Sequence, residues 1–121
     1  MNKIDYDAVK NIPIKFTKEY TSPEQVITPG GTITLTHGLG TMPKLVQFSI
    51  ICKVAEAGYS VGDEVNAEKE ATTLSYNYSV GRNDTSLRCA CGSSGLAAVN
   101  ASGSVSTLTS ANWRLIVRAW A

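Results

Sequence analysis

Short segments in which apolar and polar residues alternate, separated by turn-forming residues, constrain the fold of this chain more than any other feature. The segment Thr32–His37 alternates threonine with apolar side chains, and a two-residue period is typical of a half-buried β-strand. The segment Lys44–Val54 alternates in the same way but also carries Leu45 and Ile51 on its second face, which predicts a central strand covered on both sides. Residues Gly38–Pro43 make the corner between these two strands.

Further strands are predicted along the rest of the chain, with turn signals between them. Gly81–Asp84 is predicted as a hairpin turn and Gly92–Gly95 as a second turn. Glu64–Ala71 is rich in Glu, Lys and Ala and could form a helical turn, but we assign it as loop. Many short strands with almost no helix predict an all-β protein, an antiparallel β-sandwich. The remaining predicted strands are Thr73–Val80, Thr85–Cys91, Leu96–Val99, Val105–Leu108 and Asn112–Ala121.

The chain divides into an arm and one domain. It has 121 residues, 43% of them apolar, which suits a single core. Residues 1–24 show no sustained period and predict an extended N-terminal arm, whereas residues 25–121 form the β-sandwich domain. Because the side chains of Ile12, Ile14 and Phe16 are unfavourable in water, we expect the arm to pack against another surface.

Charge and apolar runs argue against nucleic acid and membrane as partners. The net charge is +1, and no basic block offers a footprint for a phosphate backbone. The longest apolar run, Phe48–Val54, is too short to span a bilayer. The first residues carry no apolar leader, so we expect a protein made in a cytoplasm and kept there or released by lysis. The sequons at Asn77, Asn83 and Asn100 are then read as turn and strand residues.

The three cysteines are predicted to pack as small apolar residues. An odd number of thiols in a reducing compartment argues against a disulfide framework. Cys89 and Cys91 face the same side of a predicted strand, at an awkward span for a mutual disulfide. The alternative is a metal site that joins Cys52, Cys89 and Cys91 to His37, but it lacks the C-x-x-C spacing of zinc ligands. We therefore predict no metal and no cofactor.

His37 is the only histidine, so any catalytic triad or Cys-His pair would have to use it. No G-x-S-x-G or catalytic cysteine signature stands near it. We expect His37 to close the corner by a hydrogen bond to a backbone carbonyl, and we predict that the protein is not an enzyme. A small hydrolase would keep its fold and lose turnover on replacement of His37, whereas we expect a loss of stability. The glycines at positions 30, 31, 38 and 40 lack the Gly-Lys-Ser/Thr ending of a phosphate-binding loop.

Acidic and aromatic side chains are the remaining candidates for ligand contacts. Asp63 and Glu64, followed by Glu68 and Glu70, lack the alternating ligand pattern of a calcium loop and favour a solvated loop. Five aromatic residues could serve a sugar site or a subunit interface, although core packing is the default for such residues. They are Tyr59, Tyr76, Tyr78, Trp113 and Trp120.

Strands with two apolar faces predict self-association. In the last strand Ile116 and Trp120 lie opposite Leu115 and Val117, which gives more apolar faces than one small sandwich needs. A homo-oligomer would cover the excess. The predicted interface residues are Ile12, Ile14, Phe16, Ile116 and Trp120.

Three stretches resemble a known group of proteins. The stretches "THGLGTMPKLVQFSIICK", "AEAGYSVGDEV" and "WRLIV" are similar to the small β-domains of tailed-bacteriophage fibre, spike and decoration proteins, and more loosely to the H-type lectin sandwich. The resemblance covers residues 28–121 and does not include the arm. It implies an antiparallel sandwich that assembles as a homotrimer, has no enzymatic activity and belongs to a virion. The chain departs from a full fibre because it has no collagen-like or coiled-coil shaft.

The resemblance also implies where contacts are made. The arm would dock on other virion proteins, and loops at one end of the trimer would contact the host surface or a glycan. The alternative is a free carbohydrate-binding lectin of the H type, independent of any virion. The ligand-binding residues expected on this basis are Glu56, Tyr59, Asp63, Glu64, Arg82, Asn83 and Asp84.

Overall fold

A computed structural model describes residues 16–66, 75–100 and 102–121. Ten β-strands and one turn of 3₁₀-helix lie in these ranges, and no helix among them is long and apolar enough to cross a membrane. The elements are β1 Glu19–Thr21, β2 Gln25–Val26, β3 Thr32–Thr36, β4 Leu45–Cys52, β5 Glu64–Asn66, β6 Tyr78–Arg82, β7 Ser86–Cys91, β8 Leu96–Val99, β9 Val105–Leu108, the 3₁₀ turn Ser110–Asn112 and β10 Trp113–Trp120.

The strands form two main sheets and a hairpin, and every pairing is antiparallel. One sheet has five strands, in the order β1-β10-β4-β5, with β2 also pairing with β10. The second has the order β3-β7-β6, and β8 pairs with β9. Inner-face residues of both main sheets belong to one buried cluster. The predicted all-β antiparallel sandwich is therefore confirmed.

The centre of the larger sheet is the pair β4–β10. All eight residues of β4 pair with β10, from Leu45 opposite Trp120 to Cys52 opposite Trp113. Since β5 pairs with the other edge of β4, the strand is central in its sheet. The predicted cover on both faces is only partial, because Leu45 on the outer face is 47% exposed. Full burial of a large apolar side chain contributes roughly 1.5–3 kcal/mol, so this face anchors the domain. The fully buried inner residues of the pair include Ile50, Cys52, Trp113, Leu115, Val117 and Ala119.

The turn between β6 and β7 differs from the predicted one. Gly81–Asp84 was expected to turn, but Gly81 and Arg82 pair with Arg88 and Leu87, so the strand continues through Arg82. The reversal occurs after Arg82 because the Asn83 side chain caps the turn, as described below. The sequence signal of Gly81 was misleading because this glycine does not have a positive φ.

Two further predicted segments differ from the structure. The strand expected over Thr73–Val80 begins only at Tyr78, because Asn77 has a φ of +68° that interrupts extended backbone. The first two residues of the predicted strand lie outside the described ranges. In the segment assigned as loop, Glu64–Asn66 forms β5, with Val65 opposite Ile50. Three residues are too few for a period to be visible in the sequence.

The predicted arm is partly a strand of the domain. β1 lies within residues 1–24 and pairs with the last strand, placing Tyr20 opposite Ala119 with its ring against the core. The boundary of the sandwich therefore precedes residue 25. Residues 1–15, which include Ile12 and Ile14, lie outside the described ranges.

Candidate functional site

The corner at His37 is held by both nitrogens of the imidazole ring. His37 Nδ1 accepts a hydrogen bond from the Leu39 backbone N–H at 3.0 Å, so Nε2 carries the proton and donates to the Asn83 carbonyl at 2.9 Å. The ring is only 4% exposed. Gly38 and Gly40 have φ values of +66° and +78°, which favour glycine. The prediction that His37 closes the corner through a backbone carbonyl is confirmed.

The cysteines are buried free thiols, as predicted for core packing. Burial raises the pKa of Cys89 to about 11 and also raises the pKa of Cys91, because the charged thiolate loses its hydration. A thiol with a raised pKa is a poor nucleophile at neutral pH. Among residues 16–66, 75–100 and 102–121, no three His, Cys, Asp or Glu side chains are grouped so that they could hold a metal ion.

Glu56 fastens the loop between β4 and β5 to the start of β10. One carboxylate oxygen accepts hydrogen bonds from the Thr109 backbone N–H at 2.8 Å and from Trp113 Nε1 at 2.9 Å, and the other accepts from Thr109 Oγ1 at 2.6 Å. Burial alone would raise the pKa of Glu56, but hydrogen bonds from Thr109, Trp113 and Asn112 outweigh it and lower the pKa. Both oxygens of this predicted ligand residue are thus engaged within the chain.

Tyr59 is a second fastening of the same loop. Its ring packs edge-on against Trp113, with ring centroids 5.8 Å apart and an interplanar angle of 79°. Its hydroxyl donates to the carbonyl of Val99 at the end of β8. A cleft of about 510 Å³ lies beside it, between β5 and β8, and its lining residues are Tyr59, Val65, Asn66, Asn77, Ala97, Ala98 and Val99.

Asp63 and Glu64 also accept hydrogen bonds within the chain. Asp63 Oδ2 accepts from the Ser60 backbone N–H at 2.8 Å. Glu64 Oε1 accepts from Arg118 Nη1 at 3.0 Å and from Ser49 Oγ at 2.8 Å. The hydrogen bond from Arg118 lowers the pKa of Glu64 most, and the hydrogen bond from Ser49 lowers it further. Glu64 therefore lies on the outer face of the large sheet, opposite Ile51, rather than in a loop.

The other predicted ligand residues lie in the turn after β6. Asn83 Oδ1 accepts from the backbone N–H groups of Thr85 and Ser86 at 2.9 and 2.7 Å, which caps the turn. Arg82 Nη1 donates weakly to the Lys44 carbonyl at 3.5 Å, and Asp84 is exposed.

The seven predicted ligand residues do not form one site. Glu56, Tyr59 and Asp63 lie beyond Cys52, which pairs with Trp113, and we call this the Trp113 end of the sandwich. Glu64 lies beside them, opposite Ile51. Arg82, Asn83 and Asp84 lie beside Lys44, whose backbone N–H donates to the Trp120 carbonyl, and this is the Trp120 end. The eight residues of β4 span about 26 Å at about 3.3 Å per residue, so the two groups cannot bind one small ligand together.

The predicted interface residues differ in how much of each is exposed. Ile116 is only 9% exposed in the single chain, with Arg114 and Arg118 on either side of it on the same face. Little of its side chain is therefore exposed in the single chain, and its assignment to an interface stays a prediction. Phe16 is 43% exposed, and its ring lies 6.4 Å from that of Trp120 at 45°.

A partly exposed apolar strip lies at the Trp120 end and consists of Phe16, Trp120 and Leu45. Trp120 is half-buried and directly opposite Leu45, which is 47% exposed. A groove of about 290 Å³ lies on one side of Trp120 and one of about 330 Å³ on the other. Alternation along β10 placed Trp120 on the outer face, but only the strand order shows that Phe16 and Leu45 join it.

No protein-family model matches the sequence, and no curated protein matches it.

Proposed function

We propose that the protein is a non-enzymatic structural protein of a tailed-phage virion, a β-domain of the fibre, spike or decoration type that assembles as a homotrimer and contacts the host surface or a glycan. The observation that carries the proposal is the apolar strip of Phe16, Trp120 and Leu45. It lies outside the core, on the outer face of an all-β sandwich. An exposed apolar strip on a small domain is typical of a contact surface.

Two side chains that could have served catalysis have structural partners, which supports a non-enzymatic role. His37 uses both ring nitrogens to hold the corner. Glu56 uses both carboxylate oxygens to hold a loop. A general base needs a lone pair within reach of a substrate proton, and neither side chain offers one in this arrangement.

Mass measurement in solution tests the assembly. We expect multi-angle light scattering of the purified protein to give the mass of three chains of 12.9 kDa each. A single-chain mass at all protein concentrations would contradict the homotrimer.

Particle experiments test the virion role. We expect the protein to be present in purified particles, and particles that lack it to adsorb less to host cells. Normal adsorption of such particles, with no binding of the purified protein to cells or to a glycan array, would contradict the proposed host contact.

The second candidate function is a free lectin of the H type. Grooves beside a half-buried tryptophan, with polar side chains in them, favour sugar binding whether or not a virion is present. A protein that binds sugars in solution but does not co-sediment with particles would support the lectin over the virion protein.

A further inference from the structure

We propose that Trp120 is the centre of a carbohydrate-binding site on the outer face of the large sheet, where a neutral hexose packs against the indole ring. The inference rests on the proposed function, which includes contact with a glycan. It moves that contact from the predicted loops to a sheet face at the Trp120 end.

Strand register brings the residues of this site together. Glu19 of β1, Trp120 of β10 and Leu45 of β4 are direct cross-strand partners in one row, so their side chains share a face. The next row on that face contains Arg118 opposite Gln47. Residues that are 75 or more positions apart in the sequence, such as Trp120 and Leu45, thus meet in one surface.

The two grooves that flank Trp120 combine apolar and polar groups. The first, about 290 Å³, is lined by Phe16, Thr17, Lys18, Glu19 and Trp120. The second, about 330 Å³, is lined by Leu45, Val46, Gln47, Phe48, Asn66 and Trp120. Both are near the lower limit of the size range of small-molecule sites, roughly 300–1,000 Å³. They suit one or two sugar rings rather than a large cofactor.

The chemistry of the grooves matches that of a sugar. A hexose presents C–H groups on one face, which pack against an aromatic ring, and hydroxyls at its rim, which donate and accept hydrogen bonds. Trp120 supplies the ring, the Glu19 carboxylate supplies acceptors, and the Gln47 amide supplies both a donor and an acceptor. Gln47 and Asn66, two of the described residues that line the second groove, carry amides that can donate and accept hydrogen bonds with neutral hydroxyls.

The two tryptophans of the chain differ in a way that supports the assignment. Trp113 is fully buried, and its indole N–H donates to Glu56. Trp120 is half-buried, and no described residue accepts a hydrogen bond from its indole N–H. Trp120 borders both grooves and can therefore meet a ligand there, whereas the N–H of Trp113 is already bound to Glu56.

The same difference provides the experiment. The chain has two tryptophans, so a ¹⁵N-labelled sample gives two indole N–H signals, and Trp120→Phe identifies which belongs to which residue. Glucose, galactose, mannose, N-acetylglucosamine and their disaccharides are titrated to about 10 mM, well above a millimolar Kd. We expect one of these sugars to shift the Trp120 signal saturably and to leave the Trp113 signal in place.

Variants then separate the site from its surroundings. Trp120→Ala should weaken binding about tenfold or more, because ring stacking and buried apolar area are both lost. Glu19→Gln and Gln47→Ala should each weaken it several-fold without changing the apolar strip. Val26→Ala is the matched control, since Val26 is an exposed apolar residue on the same face at the Trp113 end and should leave affinity unchanged. Thermal unfolding of each variant verifies that it is folded.

Four results would overturn the Trp120 site. Shifts that map to the Glu56–Asp63 loop would refute it and leave the proposed glycan contact intact. A trimer in which no sugar shifts any signal would refute it and leave the proposed assembly intact. Loss of the trimer in Trp120→Ala, with no sugar binding in the parent protein, would show that a second copy covers the strip. A monomer that binds no sugar would remove both the site and the proposed function.

Discussion

At the scale of single residues, stability depends most on positions where a substitution would remove buried hydrogen bonds or cause a steric clash. His37 and Gly92 are two such positions, one because of its hydrogen bonds and one because of the space around it. Neither has a role in chemistry that the structure supports, so their replacement should be seen in stability.

Replacement of His37 by alanine should lower the free energy of unfolding by about 2–4 kcal/mol. The change leaves the buried Leu39 N–H and the Asn83 carbonyl without their partner and opens a small cavity. Urea unfolding followed by circular dichroism measures the loss, with Thr34→Ala on an exposed strand position as the control. An unchanged unfolding midpoint for His37→Ala would contradict the proposal that hydrogen bonds of the His37 ring hold the corner.

Gly92 lies against the backbone of Ser75, so an added methyl group has no room. A Cβ at Gly92 would come within 2.2 Å of the Ser75 carbonyl oxygen, a backbone atom that cannot move alone. Gly92→Ala should therefore destabilise the protein by about 3 kcal/mol or more, as overpacking and a shifted backbone add together. In Gly81→Ala the new Cβ meets nothing within 4 Å, so this control should be neutral or stabilising by up to about 1 kcal/mol. Equal effects of the two substitutions would be inconsistent with the packing at Gly92.

At the scale of elements, the loop between β4 and β5 is the clearest case of a segment whose position depends on charge. Its turn at Glu56–Tyr59 has two residues of positive φ at its centre, Ala57 and Gly58, and Glu56 ties it to Thr109 and Trp113. The Glu56 carboxylate is therefore the charged group that holds the loop at the junction with β10.

Stability should fall in acid, and Glu56 should account for part of the fall. The pKa of Glu56 is lowered in the folded chain, so its ionised form stabilises the fold above the ordinary pKa of 4.5, and this contribution is lost as pH falls through the lowered value. Glu64 acts in the same direction. The free energy of unfolding should therefore decrease below about pH 4.5, with a shallower slope in Glu56→Gln than in the parent. Parallel slopes for the two proteins would show that Glu56 is not held as described.

The sequence predicts long elements well and short ones poorly, for physical reasons. β4 and β10 carry eight residues each, so alternation is visible, and their inner faces are buried as expected. β1, β2 and β5 have three residues or fewer and exist because a longer strand offers them an edge, which no local pattern encodes. The predicted ligand loops were only partly correct, because Glu64 and Arg82 belong to strands β5 and β6. The separation of the two groups by the length of β4 depends on strand order, which the sequence does not show.

At the scale of the whole molecule, the three thiols report whether the sandwich opens as one unit. Cys52, Cys89 and Cys91 are buried contributors to a core shared by both main sheets. We expect an aromatic disulfide reagent to label none of them quickly in the folded protein and all three together in urea, at a rate set by global unfolding. Rapid labelling of a single cysteine under native conditions would reveal local opening of one sheet instead.

The position of β10 also has a consequence for how the protein is made. The strand lies between β1 and β4 in the sheet. Its first residue, Trp113, pairs with Cys52, and 113 − 52 = 61 positions separate the two in the sequence. At about 5–20 residues per second a ribosome needs roughly 3–12 s to synthesise that interval. During this time the edge of β4 that pairs with β10 has no partner strand, and the apolar face of β4 is not yet covered. The nascent chain therefore exposes an unpaired, apolar central strand until β10 has been synthesised, and chaperones that bind extended apolar segments can bind it during that interval.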